Sequence, residues 1–254
     1  MSWHGNFCWY ELMASDLDAA QAFYTDVVGW TIEPSGMPDG DYRLFLADGV
    51  RNAGLTSAMP DGAPQSWVGY VAIDDCDAIA DIAISLGGTI HREPADIPGI
   101  GRFAVLADPQ GAVFAIIAPI APDDGIETPD PTTPGRCGWH ELHSSDADAA
   151  WGFYEELLGW EKGEGLDMGP AGTYQMFRPA EATRDIGGMM TNADAPHPFW
   201  MFYFSVAALG PAVERANKGG AKLMNGPMEV PGGQWIANFL DPAGAPFSLV
   251  ASGQ

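Results

Sequence analysis

The stretch "CWYELMASDLDAAQAFYTDVVGW" at residues 8–30 returns as "GWHELHSSDADAAWGFYEELLGW" at 138–160. Between positions 9 and 30, 12 of the 22 residues are identical to those 130 positions further on, too many for chance. The echo continues downstream. Trp67-x-x-Tyr70 pairs with Trp200-x-x-Tyr203, and "LADPQGAVF" (106–114) pairs with "FLDPAGAPF" (239–247), both at a shift of 133. A repeat of this length makes the chain two copies of one module, and whatever folds the first must also fold the second. Between the copies, "PIAPDDGIETPDPTTPG" (119–135) is rich in Pro, Asp and Thr and has no apolar period, as a linker would. The expected layout is a module at 4–118, a linker at 119–135 and a second module at 136–252.

Inside each copy the pattern alternates strand and helix. Residues 7–14 alternate along a strand, which puts Trp9, Glu11 and Met13 on one face. Ser15 or Asp16 then caps a helix, Asp18 sits near its positive end, and Gly29 stops it. Leu17, Ala20, Tyr24, Val27 and Val28 recur at helical spacing as its buried stripe. Strands are expected near 30–33, 42–47 and 51–57. Trp67–Ile73 follows, then an Asp74/Asp75 cap, a helix to Leu86 and a Gly87-Gly88 stop. Strands at about 102–107 and 112–118 close the copy around an Asp108-Pro109-Gln110-Gly111 turn. Each half of a copy therefore reads strand, helix, three strands, and the chain is four such units.

Charge narrows the partners. Thirty-four acidic residues against eleven Lys plus Arg give a net charge of −23. Such a surface repels phosphate backbones and anionic lipid, so nucleic-acid and membrane partners are not expected. The opening "MSWHGNFCWY" lacks a basic start followed by an apolar core, the mark of a secretory signal. Cys8, Cys76 and Cys137 are widely spaced and form no C-x-x-C pair, which argues for a reducing, cytoplasmic setting and against a disulfide framework.

The order "SDLDAAQAFYTDVVGW" after the first strand and "LADPQGAVFAII" at the end resembles the vicinal-oxygen-chelate superfamily of glyoxalases, bleomycin resistance proteins and extradiol dioxygenases. The tandem layout, the Trp-x-Glu-Leu opening and "EPADIPGIGRFAVLADPQGAVF" (93–114) look most like its two-module, glyoxalase-like members, some labelled hydroxylases. The likeness covers nearly the whole chain. It implies an α+β fold of two tandem modules, each a pair of βαβββ units curling into an open, barrel-like mixed sheet with helices outside. It also implies a ligand on the concave face.

Metal-dependent members of that superfamily carry a His on the first strand, a His or Glu before the second helix and a Glu on the last strand. The matching positions here are Trp9 and Trp139, Val68 and Met201, and Ala115 and Ser248. Indole, aliphatic and methyl groups do not bind a divalent cation, and a serine hydroxyl binds one poorly. No cofactor and no metal-ligating residue is therefore expected, with a divalent metal kept as the alternative. Glu141 and His143 lie two apart on a strand and share a face. They could hold a metal together or work as a carboxylate-oriented imidazole in proton transfer. Glu11 and Met13 stand in their place in the first copy. Tyr203 joins Glu141 and His143 as the candidate catalytic set.

Aromatic residues on or beside the strands would line the two sheets. These are Trp9, Tyr42, Trp67, Tyr70 and Phe103 in one copy, and Trp139, Tyr174, Trp200, Tyr203 and Trp235 in the other. Arg102 is a candidate anchor for an anionic ligand in a chain with so few cations. The expected ligand-binding set is Trp9, Glu11, Met13, Tyr42, Val68, Tyr70, Arg102, Ala115, Trp139, Tyr174, Met201, Trp235 and Ser248. Two functions follow from these residues. One is metal-free binding of a small aromatic or partly apolar molecule, as in bleomycin resistance. The other is a glyoxalase-, dioxygenase- or hydroxylase-type enzyme working through Glu141 and His143. The internal repeat does what a homodimer does in single-module relatives, so a monomer or a homodimer is expected.

Overall fold

The computed structural model describes residues 3–36, 42–59, 62–120 and 130–253. Most of the expected linker, 121–129, lies outside them. The first copy forms β1 (Phe7–Met13), α1 (Leu17–Val28), β2 (Thr31–Pro34), β3 (Tyr42–Ala47) and β4 (Val50–Thr56). It continues with β5 (Ser66–Ala72), α2 (Cys76–Ser85), β6 (Thr89–Ile97), β7 (Gly101–Ala107) and β8 (Val113–Pro119). The second copy repeats the order with β9 (Cys137–Ser144), α3 (Ala147–Leu158), β10 (Glu161–Asp167), β11 (Thr173–Arg178) and β12 (Gly187–Thr191). It ends with β13 (Phe199–Ser205), α4 (Leu209–Lys218), β14 (Lys222–Glu229), β15 (Trp235–Leu240) and β16 (Pro246–Ala251).

Each copy makes one eight-stranded mixed sheet, ordered β2-β3-β4-β1-β5-β8-β7-β6 in the first and β10-β11-β12-β9-β13-β16-β15-β14 in the second. The sheets are open. Parallel pairs β1/β4 and β9/β12 each join the first and last strands of one βαβββ half, with the helix and the intervening strand pair in the connection.

Helix ends follow local chemistry. Asp16, Asp75 and Asp146 accept the N–H of Ala19, Ala78 and Ala149 at 2.9, 3.1 and 3.0 Å. Gly29 and Gly159 end α1 and α3 at φ +89° and +66°, in the left-handed region glycine adopts without strain. α4 has Ala208 at its N-cap and no side-chain cap. Its Arg215 instead donates to the carbonyls of Asp26 and Val27 at the end of α1, at 2.6 and 2.9 Å.

Contacts divide the chain into two compact units that do not follow sequence order. One unit joins α2 and β6–β8 to α3 and β10–β12; the other joins α1 and β2–β4 to α4 and β14–β16. In the first, Tyr154 on α3 donates to Asp108 Oδ2 at 3.1 Å and accepts from Trp200 Nε1 at 3.1 Å. In the second, Tyr24 on α1 donates to Asp241 Oδ2 at 3.0 Å and accepts from Trp67 Nε1 at 2.9 Å, while Gln65 gives Asp241 a further bond at 2.6 Å. The repeated Phe-Tyr, Trp and Asp-Pro signatures are thus one buried lock made twice. Trp67 and Trp200, which stand outside the expected ligand-binding set, lie buried against the helices, their indole N–H groups spent on tyrosines.

Candidate functional site

The strongest convergence of polar groups in the first unit is built on β9. Alternation turns Glu141 and His143 to the same face, as their spacing predicts. Glu141 Oε1 lies 2.8 Å from His143 Nε2, with both side chains about one-tenth exposed. Tyr174, on β11, donates its hydroxyl to Glu141 Oε2 at 2.9 Å. Asn192, just past β12, places its amide nitrogen 3.0 Å from His143 Nδ1. Phe199, the first residue of β13, stacks on the imidazole at 4.6 Å between centroids and 10° between planes. The neighbouring His140 points the other way. It stacks on Phe7 at 4.1 Å and donates Nδ1–H to the Ile186 carbonyl at 2.6 Å, and burial pushes its pKa down to about 4.

Tyr174 reaches Glu141 only because a glycine lies under it. Gly188 pairs with Glu141 across β12 and β9, and a Cβ there would overlap Cε1, Cζ and the hydroxyl of Tyr174. The second unit repeats the device. Gly54 pairs with Glu11 across β4 and β1, and its absent Cβ leaves room for the Tyr42 ring. Trp9 Nε1 donates to the Tyr42 hydroxyl at 3.1 Å. Burial, then the charge of Glu11, pushes the Tyr42 phenol pKa well above its ordinary value. Met13 follows where the other copy has His143, so only the second copy adds an imidazole to the carboxylate and phenol.

The remaining candidates fall elsewhere. Tyr203, in the second unit, accepts from Asn238 Nδ2 at 3.4 Å, and Ser248 donates to the Met201 thioether at 2.7 Å. Val68, Tyr70 and Ala115 are buried, and Tyr70 lies 6.0 Å from Phe103. Trp235 pairs with Glu229 and Ala251 in its sheet. Arg102 is committed to its neighbours, with Asp77 at 2.6 and 2.9 Å and Asp96 at 3.0 Å. Burial pushes the Cys8 and Cys137 thiols up to about 12, so neither is a nucleophile near neutrality. Sequence reasoning missed Asn192, Phe199 and the two glycines. An asparagine directly after a strand and a glycine inside one were the available signals, and both are common.

The sequence profile described as "Bleomycin resistance protein-like N-terminal" matches residues 6–45, and that described as "Glyoxalase/Bleomycin resistance protein/Dioxygenase superfamily" matches 136–249. An anthracycline biosynthesis protein, DauV, of Streptomyces sp. strain C5 is 34% identical over 262 residues, covering 95% of this chain and 91% of its own. The chain belongs to the glyoxalase/bleomycin resistance protein/dioxygenase superfamily.

Solved superfamily structures share the fold at low identity. The Mn(II)-bound glyoxalase from Novosphingobium aromaticivorans aligns with TM-score 0.63 at 21% identity, over 98% of this chain and 82% of that one. The 2,3-dioxygenase LapB from Pseudomonas sp. KL28 aligns with TM-score 0.62 at 14% identity, over 100% and 94%. A metal is thus a real superfamily option, and the fit can be tested on donor chemistry. At the positions matching the superfamily's ligands, this chain carries Trp9 and Trp139, Val68 and Met201, and Ala115 and Ser248. Ser248 already spends its hydroxyl on Met201. That donor set does not fit a divalent cation, which takes imidazole and carboxylate. Among the described residues no group of three or more His, Cys, Asp or Glu is placed to hold one. No described helix is long and apolar enough to cross a membrane.

Proposed function

We propose that this chain binds a planar, partly apolar aromatic molecule bearing hydroxyl or keto groups, and does so without a divalent metal. The observation that carries the reading is the Glu141–His143 pair set among Tyr174, Phe199 and Asn192. It offers charge and hydrogen bonds beside aromatic faces, a common recipe for small-molecule recognition. The relative named for anthracycline biosynthesis supports a polycyclic aromatic ligand. The mismatch between superfamily ligand positions and metal-binding chemistry supports a metal-free mode.

The test is titration of chelator-treated protein with hydroxyanthraquinones, followed by tryptophan fluorescence and calorimetry. Saturable binding at micromolar concentrations is the expected result, corresponding to roughly −8 kcal/mol. Failure of every polycyclic aromatic tried, or binding only after Mn(II), Fe(II) or Zn(II) is added, would sink the reading.

A second reading, metal-free proton transfer, is favoured by the 2.8 Å contact between Glu141 and His143. In it Glu141 accepts a proton from a ligand C–H or O–H, while Tyr174 holds the carboxylate in place. Turnover of a bound hydroxyquinone that is lost in Glu141→Gln would support this reading. Binding with no turnover would leave the first.

A further inference from the structure

The turn after β12 holds the residue that decides where His143 keeps its proton. Asn192 Oδ1 accepts the backbone N–H of Asp194 at 3.2 Å, which turns the amide oxygen toward the turn. Its Nδ2 is thereby left facing His143 Nδ1 at 3.0 Å. An amide nitrogen only donates, so Nδ1 must present a lone pair and the proton of the neutral ring lies on Nε2. The other side of the ring agrees. Nε2 lies 2.8 Å from a carboxylate oxygen, a spacing at which two facing lone pairs would repel. That oxygen nevertheless sits off the N–H axis, and no aligned acceptor meets the buried Nε2 among the described residues.

We infer that Asn192 is a positioning residue that locks His143 in its Nε2–H tautomer, making the imidazole a hydrogen-bond donor held ready for a bound ligand. The repeat supports the coupling of the two residues. The strand register aligns Glu11 and Gly54 with Glu141 and Gly188, which places Met13 at His143 and Ala58 at Asn192. The imidazole and the amide that orients it are absent from the first copy together. A buried donor without an aligned acceptor carries a desolvation cost until something fills it. Resting on the binding proposed above, the ligand atom that meets Nε2 is therefore a hydrogen-bond acceptor, which a quinone oxygen supplies.

Long-range proton–nitrogen correlation spectra of the ¹⁵N-labelled full chain at mildly alkaline pH read the tautomer directly. The His143 signals are those missing in His143→Phe. The expected pattern is a protonated-type Nε2 with a lone-pair-type Nδ1, and Asn192→Leu should move both nitrogens toward the averaged values of a tautomer mixture. A wild-type Nδ1–H tautomer, or an Asn192→Leu spectrum unchanged from wild type, overturns the inference. If that variant does not fold, the wild-type spectrum decides alone.

With 1-hydroxyanthraquinone as the probe, His143→Phe should weaken binding about tenfold. Equal affinity in the two proteins overturns the acceptor step. A panel in which no quinone binds sinks the proposed function and leaves the tautomer assignment standing.

Discussion

The Tyr154 hydroxyl donates to Asp108 Oδ2 at 3.1 Å while accepting from the Trp200 indole, tying α3 to the turn between β7 and β8. Tyr154→Phe removes both bonds and leaves a buried carboxyl and indole N–H short of a partner, so a loss of about 1–3 kcal/mol is expected in urea unfolding. The carboxyl adds a pH signature. Burial raises the Asp108 pKa above the ordinary carboxylate value, so the native state holds this proton more tightly than the unfolded chain does. Its contribution is full below the unfolded value, about pH 4, and is lost as pH rises through the raised one. Relative to Asp108→Asn, wild type should thus be most favoured in acid and lose ground as pH rises. A flat difference between the two proteins would contradict the assignment.

Gly188→Ala puts a methyl group where the Tyr174 ring lies. The ring must leave Glu141 or the strand must shift, and overpacking of this kind costs about 1–3 kcal/mol. The expected loss is largely recovered in Gly188→Ala/Tyr174→Ala, where the added methyl meets no ring. Thermal unfolding of the single and double variants checks this. Additive losses would show that the glycine matters for some other reason.

What could be read from the sequence was whatever is decided locally. The caps Asp16, Asp75 and Asp146 were legible because a cap acts within one helical turn, and the repeat supplied each of them a second context. Glu141 and His143 were legible as a pair because a strand places residues two apart on the same face. Alternation does not say which face the helices cover, so it could not show that Trp67 and Trp200 are the core partners of Tyr24 and Tyr154. Asn192 and Phe199 reach His143 from loop and strand positions about fifty residues on, where no periodicity points back to β9. Arg102 looked like a spare cation. Its partners Asp77 and Asp96 come from a helix N-terminus and an adjacent strand whose register only the fold sets.

His140 predicts acid sensitivity of known sign. Its pKa falls from 6.5 to about 4 because burial disfavours the imidazolium. The native state therefore takes up this proton later than the unfolded chain, and stability is lost as pH falls from about 6.5 toward 4. The full swing is on the order of 3 kcal/mol. Urea unfolding at a series of pH values should show a steeper acid limb in wild type than in His140→Gln. Equal limbs would mean that the imidazole is hydrated or already charged in the native state.

Tyr174→Phe tests whether the carboxylate at the candidate site must be held in order to bind. The phenol donates to Glu141 Oε2 at 2.9 Å, and its ring stays over Gly188 when only the hydroxyl is removed. Losing one charge-assisted bond at a partly buried group costs about 1–2 kcal/mol, and a freed carboxylate samples more orientations. Hydroxyanthraquinone affinity should accordingly drop about tenfold, while dialysis against a chelator should leave it unchanged in both proteins. Tyr42→Phe makes the matching change at Glu11, where Met13 replaces the imidazole. If ligand binds only beside His143, that variant should keep wild-type affinity. An equal drop in both variants would mean that the two copies bind alike and that the imidazole is dispensable.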